Sequence, residues 1–269
     1  MSKKGNVMLT SENKKAILEH AAQCYPREAC GLIVDDAYLP CTNIAADDEQ
    51  FEIDPNDYIK CSLLGEIKAV VHSHPDASCQ PSMPDKVQMN LPLVLSKKPG
   101  LEHLASQSIP WVVTNGTEIA VFEPDGYQAP LLGREYHHGL LDCYTLFKDY
   151  YERELGITLS EYERKDEWWE DSNHPSLYLD NYQREGFVEV SKDELQKHDV
   201  LLCRVGRTNH VNHAAIYLGD GKLTSEEAPP VFGDSIILHH PYGRDSVREI
   251  FGRQWYDRTS IVIRHSSLL

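Results

Sequence analysis

The chain of 269 residues has no apolar run approaching the length of a bilayer crossing, so no membrane span is expected. It is short of basic residues, with 26 Lys and Arg against 42 Asp and Glu and a formal net charge of -16. A nucleic-acid partner requires clustered cations to displace counterions from phosphate, and none is expected. CxxC pairs are missing. The seven cysteines are odd in number, and five of them (Cys24, Cys30, Cys41, Cys61, Cys79) fall in the first third of the chain, which predicts reduced, mostly buried thiols rather than a disulfide framework. The opening MSKKGNVMLTSENKK has early lysines but no apolar core segment or small-residue cleavage site, so a secretory signal is not expected and cytoplasmic synthesis and folding are. Internal repeats and low-complexity tracts are also missing.

What is present is a globular composition, 41% apolar and 25% charged, long enough for two domains that each bury a core. Apolar periodicity lapses around residues 124–139 (PDGYQAPLLGREYHHG), where Pro, Gly and polar residues dominate. This predicts a first domain over 1–125, a linker over 126–137 and a second domain over 138–269. In the first, Thr10 or Ser11 can cap a helix with Ile17, Leu18, Ala21 and Cys24 on one face, ended by Pro26. The run 29–34 (ACGLIV) reads as a buried strand. A second strand, 67–71, leads into His72-Ser-His74-Pro75, and residues 111–114 and 118–122 form a hairpin around Asn115-Gly116. In the second, a helix is expected from about Asp142 to Leu155 with Gly156 just past its end. An acidic, aromatic segment at 161–185 is expected to cover a site. Strands follow at 199–205, 211–218 and near 236–239.

Two histidines at i and i+2 on an extended segment point the same way, so His72 and His74 can share one metal ion. A zinc site needs a third ligand, and Asp85 follows across a Pro-rich turn; Glu28, at the start of the 29–34 strand, is a candidate base. Glu28, then His72-x-His74-Pro75, seven residues and Ser82-x-x-Asp85 resembles the JAMM (JAB/MPN) metalloprotease family over about residues 8–125. That resemblance implies Zn2+ held by His72, His74 and Asp85, with Glu28 as general base and Ser82 steadying the oxyanion. Cys79, inside the ligand loop, is read as incidental.

Cys143 falls at the first turn of its helix, where unpaired N–H groups and the dipole favour thiolate. A base must come from elsewhere, and His213, at the head of a strand after Asn212, is placed to serve if a group on an adjacent strand orients it. The strings HGLLDCYTL, HDVLL and NHAAIYLG are similar to NlpC-type cysteine peptidases from about residue 136 onward. The resemblance implies Cys143 as nucleophile, His213 as base and a further polar residue on the next strand. Ser225 occupies the usual spacing, but TSEEAPPVFGDS looks like an insertion, after which His239 is chosen over His240. His198 replaces a glycine common before Asp-Val-Leu, which bears on the local turn.

The succession of these two domains, with YTLFKDYY and LHHPYG…REIFG, resembles the tail-tip assembly proteins of lambdoid and other long-tailed bacteriophages. It implies an α+β chain of two domains: a JAMM-type mixed sheet with flanking helices, then a papain-like NlpC-type antiparallel sheet packed on the helix carrying the nucleophile. The implied activity is endopeptidase cleavage of peptidoglycan stem peptides during tail assembly or genome entry, beside a second, zinc-dependent peptidase. The implied partners are stem peptides and phage tail-tip proteins, in the host cytoplasm and then the virion tail tip. The alternatives are a tail-assembly scaffold with vestigial sites, or a bacterial isopeptidase acting on ubiquitin-like modifiers, which leaves Cys143 unexplained.

Overall fold

The computed structural model describes residues 7–91, 108–171 and 173–269. Residues 1–6 of the N-terminal segment, where no secretory signal is expected, and Ser172 within the 161–185 segment lie outside them. Contacts divide the chain into two units between Gln128 and Ala129.

The first unit opens with α1 (Ser11–Cys24), where Thr10 Oγ1 accepts the Asn13 N–H at 3.1 Å, so Thr10 is the cap. Five strands follow: β1 (Cys30–Val34), β2 (Ala37–Cys41), β3 (Ile67–Ser73), β4 (Trp111–Thr114) and β5 (Ile119–Phe122). They form a mixed sheet in the order β2-β1-β3-β4-β5, antiparallel except for the parallel β3–β4 pair. Alternation along the strands divides the core. Ile33, Ala69, Val71 and Val112 meet Ile17 of α1 on one face. Cys30, Leu32, Val70 and Trp111 meet Tyr58 and Cys61 of α2 (Pro55–Leu64) and Met89 of α3 (Met83–Asn90) on the other. Helices flank both faces, and His72 is in phase with Val70, on the α2–α3 side.

The second unit is a six-stranded antiparallel sheet in the order β10-β9-β8-β7-β11-β6. Its strands are β6 (Phe187–Val190), β7 (Val200–Cys203), β8 (His213–Gly219), β9 (Ile236–His239), β10 (Val247–Ile250) and β11 (Thr259–His265). Helix α4 (Cys143–Leu155) presents Leu146, Phe147, Tyr150 and Tyr151 to Ala214, Ile216 and Leu218 of β8, the small Ala214 letting the helix approach. The opposite face carries Leu201, Ala215, Ile237 and Val262 against Trp255 of α5 (Arg253–Arg258). Residues 129–137, read from composition as linker, belong to this unit. Leu131 and Arg134 are fully buried, and Arg134 pairs with Asp149 at 2.7 Å while donating to the Ala129 and Pro130 carbonyls. Pro and Gly there signal an irregular backbone, not a lack of packing.

His198 stands in the left-handed region at φ 80°. Its ring is held by the Tyr150 hydroxyl at 2.7 Å, and its carbonyl accepts from Tyr151. An L side chain there costs about 1–2 kcal/mol. We therefore expect His198→Ala, which keeps that cost and loses the Tyr150 bond, to be less stable in urea than His198→Gly by about 1 kcal/mol.

Candidate active sites

The first site is assembled by strand register and a helix cap. Cys30 lies opposite His72, so continuing two residues along each chain brings Glu28 opposite His74, on the same sheet face. Ser73 N–H donates to Ala29 O at 2.9 Å, and His74 N–H to Thr114 O at 2.7 Å, which fixes the strand mouth. Ser82 caps α3: its Oγ accepts the Asp85 N–H at 3.2 Å while Asp85 Oδ2 accepts the Ser82 N–H at 2.8 Å. This capping box aims the Asp85 carboxylate at the histidines. His72 Nε2 and His74 Nε2 are 2.9 Å apart, and Asp85 Oδ2 is 3.2 Å from His74 and 3.5 Å from His72. Among the described residues these three form the group able to hold a metal ion.

Donors at about 2.0–2.2 Å from a tetrahedral zinc stand roughly 3.3–3.5 Å from one another, close to the observed triangle. The donor chemistry fits as well. His74 Nδ1 donates to Ser78 O at 3.0 Å, which leaves the Nε2 lone pair for an ion. Phe51 stacks on the His72 ring at 4.6 Å and Trp111 meets it edge-on at 5.2 Å, locking the rotamer. Burial pushes the Glu28 carboxyl up to about 8, tempered by His74 and reinforced by Asp85. Such a carboxyl is matched to proton transfer near neutral pH. Cys79 Sγ points instead to Glu118 O at 3.4 Å.

The second site lies at the N-terminus of α4. Asp142 caps the helix through the Thr145 N–H at 2.9 Å, making Cys143 its first residue. Cys143 lines a cavity of about 600 Å³ together with His213 and His239. His213 Nε2 and His239 Nδ1 are 3.2 Å apart, and His239 Nε2 lies 3.6 Å from Glu249 Oε1. Trp255 stacks over the His213 ring at 5.8 Å and meets His239 edge-on at 4.6 Å. His240 lines the same cavity, but both of its ring nitrogens are buried without a partner among the described residues. Thus His239, and not His240, is brought to His213.

The helix N-terminus predicts a lowered thiol pKa, and the structure opposes this. Burial, and then the Asp142 charge, push Cys143 up to about 11. Burial likewise holds His213 well below its ordinary value. The two therefore rest as thiol and neutral imidazole at pH 7.

The 161–185 segment contributes side chains that sequence reasoning missed. Arg164 binds Asp142 through Nε at 2.6 Å and Nη2 at 2.8 Å, and Nη2 also reaches Thr145 Oγ1 at 2.7 Å. Tyr178 places its hydroxyl 3.2 Å from Cys143 Sγ. Trp168 and Trp169, in a short 3-10 turn, form a further wall. The segment lacks periodicity, so only its enrichment in aromatic and charged residues hinted at a covering role.

A model of prokaryotic homologs of the JAB domain matches residues 10–120, and one of the NlpC/P60 family matches residues 133–264. The tail tip assembly protein K of Escherichia phage N15 is 33% identical over 260 residues, 94% of each chain. The protein of that name from Escherichia phage lambda is 36% identical over 214 residues, 78% of this chain and 88% of that one. Among solved structures, an NlpC/P60 family protein from Bacillus cereus aligns with a TM-score of 0.28 at 14% identity, over 92% of this chain and 66% of that one.

Proposed function

Because the chain belongs to the tail tip assembly protein K family, with a JAB-like domain ahead of an NlpC/P60 domain, we propose that it is a tail-tip peptidase. Its second unit cleaves peptidoglycan stem peptides, at the bond between D-glutamate and the diamino acid. The observation that carries this reading is the convergence of Cys143, at the first position of α4, with the His213–His239 pair on one cavity. Cys143 Sγ attacks the scissile carbonyl as the neutral His213 takes the thiol proton. His213 then returns that proton to the leaving amine, and water releases the acyl group. His239 Nδ1 bonds His213 Nε2, which leaves Nδ1 of His213 as the base atom and keeps the ring aligned.

The first unit is a second peptidase. His72, His74 and Asp85 would hold Zn2+, which when bound polarises the scissile carbonyl. Glu28 takes the proton of the attacking water and delivers it to the leaving nitrogen. The Ser82 hydroxyl, whose Oγ accepts the Asp85 N–H in the cap, donates to the oxyanion. The protein acts in the host cytoplasm during assembly, on or beside other tail-tip proteins, and then at the tail tip.

Wild-type protein incubated with purified peptidoglycan is expected to release stem-peptide fragments identifiable by mass. Protein purified without chelator should carry about one zinc per chain. His74→Ala should carry none and release the same fragments. A wild-type chain that neither retains nor takes up zinc would make the first unit a scaffold.

A further inference from the structure

Tyr178 reaches the cysteine site from the irregular segment between α4 and β6. Its ring is buried in the core of the second unit, 6.1 Å from the Tyr144 ring, and its backbone carbonyl accepts from the Asn181 and Tyr182 N–H groups. The side chain is thus fixed by packing and by the local backbone. Its hydroxyl lies against Cys143 Sγ at 3.2 Å and lines the cavity that holds His213. An oxyanion forms one bond beyond the carbon that sulfur attacks, so a donor touching Sγ is within reach of it. Donors already in place when charge develops need no reorganisation. Burial raises the phenol well above its ordinary value, so the O–H is retained at neutral pH.

We propose that Tyr178 is a catalytic residue, donating its phenolic O–H to the oxyanion that forms on the scissile carbonyl when Cys143 attacks; the role rests on the peptidase reading above. In this step the S–C bond forms and the carbonyl π pair moves onto oxygen. The thiol proton passes to His213, and the new oxyanion accepts from Tyr178. The Cys143 N–H, at the first helical position and without an intrahelical partner, is the second donor. On collapse the pair returns to carbon, the C–N bond breaks and the amine leaves with the proton from His213. Water attack on the thioester repeats the charge development, and Tyr178 serves both steps.

Tyr178→Phe removes the donor and keeps the ring. With peptidoglycan stem peptides, kcat is expected to fall about 10²–10³-fold with KM unchanged. Alkylation of Cys143 by iodoacetamide, a displacement at saturated carbon that develops no oxyanion, should stay within about threefold of wild type. That labelling also reports that the variant has folded its site. Unchanged hydrolysis overturns the proposal. So does a fall of hydrolysis and alkylation by one common factor, because Tyr178 would then only tune the thiol. A wild-type chain that is alkylated at Cys143 but releases nothing from stem peptides overturns the peptidase reading and this role with it. An active wild type matched by Tyr178→Phe overturns the role alone.

Discussion

Cys143→Ala is expected to lower release of stem peptides from peptidoglycan by on the order of 10⁴–10⁶-fold, while the fold persists. The substitution removes one sulfur from a half-buried position, with its contacts to the Tyr178 hydroxyl and the Asn212 carbonyl, so its stability cost is about 1 kcal/mol by urea denaturation. No other thiol in the second unit can substitute. Cys203 lies fully buried in β7 with Thr259 Oγ1 at 3.5 Å. Undiminished product by mass spectrometry would sink the assignment of the nucleophile. The thiol's environment adds a pH signature. Burial raises Cys143 from 9.0 to about 11, so the thiolate fraction grows tenfold per pH unit below that value. Iodoacetamide labelling should climb about tenfold per unit between pH 7 and 10, where a preformed thiolate would give a flat profile. The same raised pKa acts on stability in the opposite direction. The folded chain keeps a proton that the unfolded chain releases between about pH 9 and 11, so Cys143 lowers stability as pH rises through that window.

The parts of both sites legible in the sequence are those set by local backbone rules. The His72-x-His74 spacing at a strand end and the Ser82-x-x-Asp85 cap each place two side chains by geometry within a few residues. Asp142 and Gly156 bound α4 as cap and left-handed stop, with Gly156 at φ 68°. The partners of these residues were not legible. Trp255 stacks on His213 from a six-residue helix, and Glu249 approaches His239 from β10, an element with exposed and half-buried positions and little apolar signal. Strand β2 contains Pro40, which by propensity argues against a strand; as the edge of its sheet it needs fewer donors there. The insertion 224–235 obscured the spacing to His239, yet β9 returns the chain to register with Ala215 opposite His239. Glu226, from inside that insertion, accepts the Leu131 and Leu132 N–H groups and pairs with Arg153, contacts that no local pattern encodes.

Arg164→Met is expected to destabilise the second unit by about 3–5 kcal/mol and to depress the cysteine activity with it. Asp142 is 3% exposed and accepts four hydrogen bonds, two from Arg164 and one each from the Gly139 and Thr145 N–H groups. Burial alone would push its carboxyl up; the Arg164 hydrogen bonds and charge reverse this and hold it at about 2. Removing the guanidinium leaves a desolvated carboxylate uncompensated, where removing both charges does not. Asp142→Asn combined with Arg164→Met should therefore cost clearly less in urea than the sum of the two single changes, since Asn keeps a capping oxygen. The sign with pH is fixed by the depressed pKa. The pair's contribution is complete above about 3.8, the unperturbed value, and is lost as pH falls toward 2. Arg164→Met should lack this acid-side loss. Additive single and double costs would mean that the pair is not coupled. Because Asp142 sets the first turn of α4, a loosened cap moves the Cys143 N–H and thiol together, and kcat is expected to fall even in the fraction that remains folded.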